Sequence, residues 1–173
     1  MADGIRGKHF EHLPEDVQKG VILHRAIDTY TDAHPIFRES TKRLHEQYHH
    51  YAGVIVDVFY DHFLAKNWNK YHDQDLEGFA QRFYKSLHDN HYCLTDRTKN
   101  MLPYMEQHNW LVTYRTVEGI ERILTQMDRR TKTDSRMGLS VSELRNSYDL
   151  FEKEFTEFFE DLRTYSAQKL ITL

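Results

Sequence analysis

The chain has 173 residues, of which 29% are charged, and its net charge of -4 argues against a generally basic nucleic-acid binder. Its length suffices for one domain with a core that needs no cross-links, and its low content of Gly and Pro is unusual for a β-rich or loop-rich fold. Cys93 is the single cysteine, which excludes an intramolecular disulfide and favours a cytoplasmic location. No run of about 20 apolar residues predicts a membrane span.

The first half of the chain has the apolar periodicity of three helices. After a polar turn with two glycines, a helix is predicted to begin near Pro14 and to end at His34, because Pro35 disfavours helical backbone in the residue before it. A second helix is predicted over residues 35–48 and a third over about 51–68. The third helix is the most apolar, so we expect it to be central.

The second half predicts four more helices. A fourth amphipathic helix includes residues 76–87, and helices five and six begin after the capping residues Thr95 and Thr116. Residues 110–115 fit either a short helix or an extended crossover.

The last predicted helix is the longest. Ser140 and Glu143 have the spacing of a capping box, and apolar residues then recur every three or four positions as far as Tyr165. The sequence therefore predicts an all-α fold, with residues 1–173 forming a single domain of about seven helices.

Two clusters of metal-capable side chains lie in the first and third predicted helices. His24 and Asp28 are four residues apart, as are Asp57 and Asp61, so each pair shares one helix face. His62 follows Asp61 and points about 100° further round the helix. Two such helices packed together could surround a divalent cation with imidazole and carboxylate, a ligand set that suits manganese, iron or zinc.

Each pair alone is more often a surface ion pair or a helix-capping contact than a metal site. Asp57 and Asp61, however, lie in the most apolar helix, where an uncompensated carboxylate costs several kcal/mol. This context favours a metal. Cys93 lies near His88 and His91 but is interpreted as structural, because spacing alone cannot show the positioned base and lowered pKa that a cysteine nucleophile needs. The basic segment from Arg129 to Arg136 is interpreted as solvated surface unless the substrate is acidic.

Several motifs, taken in order, resemble the acyl carrier protein phosphodiesterase family, also called acyl carrier protein hydrolases. They are Ala-Asp-Gly-Ile-Arg-Gly at residues 2–7, Gly-Val-Ile-Leu-His-Arg-Ala-Ile-Asp at 20–28, Asp-Val-Phe-Tyr-Asp-His-Phe-Leu at 57–64 and Trp-Leu-Val-Thr-Tyr-Arg at 110–115. The likeness extends through nearly the whole chain and is weakest in the basic segment and at the C-terminus.

The resemblance implies a fold and an activity. The family is similar to divergent HD-type phosphohydrolases, which are helical bundles that hold a divalent metal, commonly manganese, with iron, magnesium or cobalt as alternatives. Its members remove the phosphopantetheine arm from holo acyl carrier protein. For this chain, the resemblance implies a metal site that includes Asp3, His24, Asp28, Asp61 and His62.

The same resemblance implies further roles. Asp61, His62 and Arg25 are expected to be catalytic, and Asp57 to support the site from outside it. Arg6, Arg25 and Arg115 are candidates to bind phosphate oxygens, which an arginine can grip through two donors. The carrier is acidic, so the basic segment is a candidate docking surface; its cationic residues are Arg129, Arg130, Lys132 and Arg136.

One departure from the family concerns the N-terminus. Family members usually begin with an apolar, His-containing helix before the Ala-Asp motif, whereas this sequence starts at Met1 directly before it. Without that helix we expect weak activity or exposed apolar surface that favours a homo-oligomer.

Two other functions remain open from the sequence. The same site could act on a nucleotide or another small phosphoester, or the chain could be a non-catalytic helical module that binds a carrier protein. In each case neither nucleic acid nor a membrane is expected as a partner.

Overall fold

The structure is a computed structural model that describes residue 7, residues 10–131 and residues 134–173. In these ranges it contains α-helices and short 3-10 segments but no β-strand, so the predicted all-α class is confirmed. The α-helices are α1 (Glu15–Ala33), α2 (Pro35–Tyr48), α3 (Ala52–Lys66), α4 (Leu76–Asp89), α5 (Asp96–Gln107), α6 (Trp110–Thr113), α7 (Val117–Arg130), α8 (Val141–Asn146) and α9 (Tyr148–Ile171). Within the described ranges, none of them is long and apolar enough to cross a membrane.

Local sequence signals locate several of these helix starts. Thr116 Oγ1 accepts a hydrogen bond from the Gly119 N–H at 3.0 Å, and Thr95 Oγ1 accepts one from the Thr98 N–H at 3.3 Å. Both residues are therefore N-caps, as predicted. Pro35 occupies the first turn of α2, where its missing N–H costs no helical hydrogen bond.

Two features raise the helix number above the predicted seven. Residues 110–115 contain the short helix α6, one of the two predicted alternatives. The long final helix was predicted as continuous, but it is interrupted at Ser147, whose backbone has φ -126° and ψ 31°. The predicted capping box at Ser140 was also wrong: Ser140 has helical φ and ψ, and its hydroxyl donates to the Met137 carbonyl at 2.7 Å.

The main core forms around α3, as its apolar sequence predicts. One side of α3 packs on the aromatic side chains of α9, and the rings of Phe59 and Phe151 lie edge to face with their centres 5.2 Å apart. Phe63 and Phe155 are also fully buried. This packing holds α3 in the middle of the fold. The acidic side chains of α3, Asp57 and Asp61, lie on the face that does not pack on α9.

A second apolar cluster holds α4, α5 and α6 together. It is built on Ala80, Tyr84 and Leu102, and the Tyr84 hydroxyl accepts a hydrogen bond from the Leu111 N–H at 3.3 Å. Next to it, α7 begins so close to α6 that a Cβ on Gly119 would lie 1.9 Å from the Thr113 carbonyl oxygen. Glycine at this position therefore permits the close approach of α7 to α6.

Candidate functional site

The acidic face of α3 carries Asp57 and Asp61, which lie one turn apart and both reach solvent. The protein atoms crowded around them disfavour the ionised form, so burial raises the pKa of each carboxyl to about 7. The charge of Asp57 adds to this effect on Asp61, and the charges of Asp32 and Asp28 add to it on Asp57. Asp57 of α3 thus lies within electrostatic reach of Asp28 and Asp32 on α1 and of Asp61 on its own helix.

His24 faces the same cluster from α1. Its Nδ1 lies 2.9 Å from Asp28 Oδ2, as expected for residues four apart on a helix. Carboxylate and imidazole ligands suit divalent cations such as manganese, and carboxyl groups that repel one another gain most from a bound cation. The donor set of this cluster therefore fits the predicted metal, although the described residues contain no preformed group of three or more His, Cys, Asp or Glu ligands.

His62 lies on the buried side of α3, with 1% of its surface exposed. Its Nδ1 lies 2.8 Å from the Tyr114 carbonyl oxygen and its Nε2 lies 2.7 Å from the Tyr148 hydroxyl. Burial lowers the pKa of His62 and favours a neutral ring, in which Nδ1–H donates to the carbonyl and Nε2 accepts from the hydroxyl. Both ring nitrogens are engaged, so metal ligation by His62 would require one of these bonds to break.

The other predicted ligand and phosphate-binding residues are distributed as follows. Asp3 and Arg6 lie outside the described residues. The Arg25 guanidinium lies over the Phe10 ring, 5.0 Å from its centre. Arg115 donates to both carboxylate oxygens of Glu77, at 2.7 and 3.0 Å. These contacts leave the predicted phosphate-binding roles untested.

The predicted docking residues divide between two surfaces. Arg130 lines a cavity of about 450 Å³ that also contains Tyr114 and Arg122. Arg136 instead donates to Asp134 at 2.9 Å and lines a different cavity. Arg129 is exposed in the last turn of α7, and Lys132 lies outside the described residues.

Arg122 was missed by the sequence reasoning. Its position seven residues before Arg129 on a predicted helix is the signal that could have found it, because residues seven apart lie on nearly the same helix face.

A second, smaller cleft of about 240 Å³ lies directly beside Asp61. Apart from Asp61 and Tyr114, its walls are apolar side chains: Leu64, Ala65, Trp68, Leu76, Phe79 and Leu111. This cleft was not predicted from the sequence. Its walls come from α3, α4, α6 and the 3-10 segment Trp68–Lys70, and these segments meet only through tertiary packing.

A zinc-site spacing that was not predicted lies at the C-terminal end of α2. Residues 45–49 read His-Glu-Gln-Tyr-His, the pattern in which a helix presents two histidines on one face. In the structure α2 ends at Tyr48, and His49 has a positive φ of 48°. His45 Nδ1 lies 3.1 Å from the His49 carbonyl oxygen. The second histidine is therefore outside the helix, and this geometry does not favour the zinc-protease arrangement.

Comparison with known proteins identifies relatives of the chain as a whole. The sequence profile described as "Acyl carrier protein phosphodiesterase" matches residues 1–162. Proteins named acyl carrier protein phosphodiesterase from Salmonella agona and Salmonella newport are each 28% identical to this chain over 172 residues, which is 99% of the chain and 89% of each relative. No solved structure matches the chain.

Proposed function

The chain belongs to the acyl carrier protein phosphodiesterase family, and on that premise we propose that it hydrolyses the phosphodiester linking the phosphopantetheine arm to a serine of holo acyl carrier protein. The products are apo carrier protein and free phosphopantetheine. The match over residues 1–162 carries this proposal, because it includes both acid-bearing helices and the Trp110–Thr113 helix.

We infer that a divalent cation is held between α1 and α3, with manganese the first candidate and iron, magnesium or cobalt as alternatives. Asp61, Asp28 and His24 would hold it, and Asp57 would join them or support Asp61. When bound, such an ion supplies positive charge to the phosphate oxygens and activates water for attack on phosphorus. The raised pKa of about 7 for Asp57 and Asp61 supports this site, because a cation would relieve the repulsion between their ionised forms.

Protein groups then have separate tasks around the phosphate. Arg25 and Arg115 are proposed to neutralise phosphate oxygens, and Arg115 would have to exchange Glu77 for the substrate. His62 is proposed to position Tyr114 through the carbonyl hydrogen bond, in place of the predicted ligand role. Asp3 and Arg6 keep their predicted roles as proposals.

The carrier protein is proposed to dock on α7. Arg122, Arg129 and Arg130 are exposed there, and Arg130 and Arg122 line the cavity that Tyr114 separates from the Asp61 cleft. An acidic partner bound to these side chains would lie near the acid cluster. The HD-like relationship, the cytoplasmic location, self-association and the exclusion of nucleic acid and membranes as partners stay predictions.

The deciding experiment follows the mass of holo acyl carrier protein incubated with the chain and manganese. We expect loss of the arm with the wild type and with Asp73→Asn, an exposed control outside the cluster. Asp61→Asn should abolish turnover without loss of helicity. Full activity of Asp61→Asn would contradict the proposed site. If the wild type with metal binds the carrier but leaves its arm intact, the activity itself is excluded, and a small phosphoester or a binding role becomes the better explanation.

A further inference from the structure

The apolar cleft beside Asp61 has walls that are fixed before any substrate binds. The Trp68 indole N–H donates to the Gln74 carbonyl at 2.7 Å, and the Trp68 ring lies 4.7 Å from the Phe79 ring, centre to centre. Leu111, which also lines the cleft, donates its N–H to the Tyr84 hydroxyl. Such hydrogen bonds and ring contacts hold the cleft in one shape, so it is a preformed site.

The cleft combines an apolar interior with a carboxylate at one side. Ala65 lies one helical turn after Asp61, with 5% of its surface exposed, and forms part of the wall. A phosphate bound at the acid cluster would therefore have an apolar space directly next to it. The group that fills this space must be apolar and must lie within a few bonds of the reacting phosphorus.

The size of the cleft limits its occupant. Whole ligands of moderate size occupy pockets of about 300–1,000 Å³, whereas this cleft measures about 240 Å³. It thus suits one portion of a ligand. The neighbouring cavity of about 450 Å³ is larger and contains Arg122, Arg130 and Gln126, so it suits a polar occupant.

We propose that the cleft is a specificity subsite for the branched apolar carbon that is attached, through one methylene, to the phosphate of the prosthetic arm. This inference rests on the proposed function, because phosphopantetheine carries two methyl groups at that carbon. The polypeptide side of the phosphodiester has no such group next to the phosphate. The cleft consequently sets the orientation of the substrate, with the arm toward α4 and α6 and the serine away from them.

The first test uses the wild-type protein and two inhibitors. Free phosphopantetheine is compared with an analogue whose quaternary carbon bears two hydrogens in place of the two methyls, and each is measured as an inhibitor of holo-carrier hydrolysis. Burial of two methyl groups at about 0.8 kcal/mol each predicts about tenfold tighter inhibition by the dimethyl compound. Equal inhibition constants would overturn the subsite.

The second test fills the cleft. Ala65→Leu should raise KM for the holo carrier at least about tenfold and remove the preference for the dimethyl inhibitor. Ala167→Leu makes the same replacement at an exposed position of α9 and should change neither quantity. Leu111→Ala enlarges the cleft and should weaken the preference for the dimethyl inhibitor. This variant replaces Ala65→Leu as the test if Ala65→Leu does not fold.

The outcomes separate the two proposals. Wild-type protein that leaves the holo carrier intact refutes the proposed function. Active wild-type protein that shows no dimethyl preference, or an Ala65→Leu variant that retains it, refutes the subsite alone.

Discussion

Nδ1 of His62 lies 2.8 Å from the carbonyl oxygen of Tyr114, and this hydrogen bond joins the buried side of α3 to the residue that directly follows α6. The backbone of Tyr114 is therefore tied to the same helix that carries Asp61. Tyr114 also borders the Asp61 cleft, and the charges of Asp61 and Asp57 add to burial in raising the pKa of its hydroxyl. This contact helps to hold Tyr114 beside Asp61 at the border of the cleft.

Replacing His62 tests whether it is a structural residue. His62→Leu leaves the Tyr114 carbonyl and the Tyr148 hydroxyl without their partner and should lower the free energy of unfolding by about 2–3 kcal/mol. Tyr148→Phe removes only the hydroxyl and should cost about 1 kcal/mol. Urea denaturation measures both values. If His62→Leu were as stable as the wild type but lost metal affinity tenfold or more, the ligand role would be correct instead.

Gly119→Ala tests the close approach of α7 to α6. The added Cβ would lie 1.9 Å from the Thr113 carbonyl oxygen, so backbone must shift, and we expect a loss of about 2 kcal/mol or more in the free energy of unfolding. Gly53→Ala is the matched control: a Cβ there meets nothing within 4 Å, and the helical position should gain about 0.5–1 kcal/mol. Equal effects of the two substitutions would show that the approach is not tight.

Glu77→Gln tests whether Arg115 can reach the substrate. Both side chains are close to half exposed, so the loss of their ion pair should leave the free energy of unfolding almost unchanged. The substitution weakens the competitor for Arg115 and should lower KM for the holo carrier, whereas Arg115→Ala should raise it. Steady-state kinetics with both variants distinguishes this exchange from a purely structural pair, for which both substitutions would act in the same direction.

Charge reversal tests which of the two surfaces of the basic segment binds the carrier protein. Arg130→Glu should lower kcat/KM for the carrier about tenfold or more at low salt, with a smaller effect at high salt, because screening weakens the attraction of an acidic partner. Arg136→Glu should have little effect, since Arg136 is paired with Asp134 and lines another cavity. Comparable losses in both variants would extend the docking surface beyond α7.

The stability of the chelator-treated protein should depend on pH through Asp57 and Asp61. The pKa of Asp57 and of Asp61 is raised to about 7, so the folded state keeps protons that the unfolded chain releases near pH 4. These two groups therefore make the free energy of unfolding fall as the pH rises from about 4 to 7. The double variant Asp57→Asn, Asp61→Asn has no such carboxyl groups to ionise, so the difference between its Tm and that of the wild type should increase as the pH rises from 5 to 8. A constant Tm difference would contradict the raised pKa values.

Local sequence was enough to predict the class of the fold and most helix boundaries. Proline at residue 35 and the capping threonines act within one turn of their own position, so their effects can be read without tertiary information. The interruption at Ser147 has no comparable local signal. Ser140 and Glu143 match a capping box in sequence, yet the 3-10 segment Met137–Ser140 that runs into α8 gives Ser140 a helical backbone and makes the cap unavailable.

Those parts of the candidate site that depend only on spacing within one helix could be predicted from the sequence. The pairing of His24 with Asp28 follows from four-residue spacing, and the apolar sequence of α3 indicated that Asp57 and Asp61 are unusual. The orientation of His62 could not be predicted, because it depends on Tyr114 and Tyr148, which are distant in sequence. The apolar cleft depends in the same way on side chains from several helices.

The two helices that carry the acid cluster differ in how firmly they are packed. Nine side chains of α3 are buried, whereas in the described structure α1 buries Val21. Amide hydrogens of α3 should therefore exchange with solvent through near-global unfolding, and those of α1 through cheaper local opening. In the proposed site α3 is thus the rigid helix and α1 the more mobile one. Binding of an ion or phosphate should therefore slow amide exchange in α1 more than in α3.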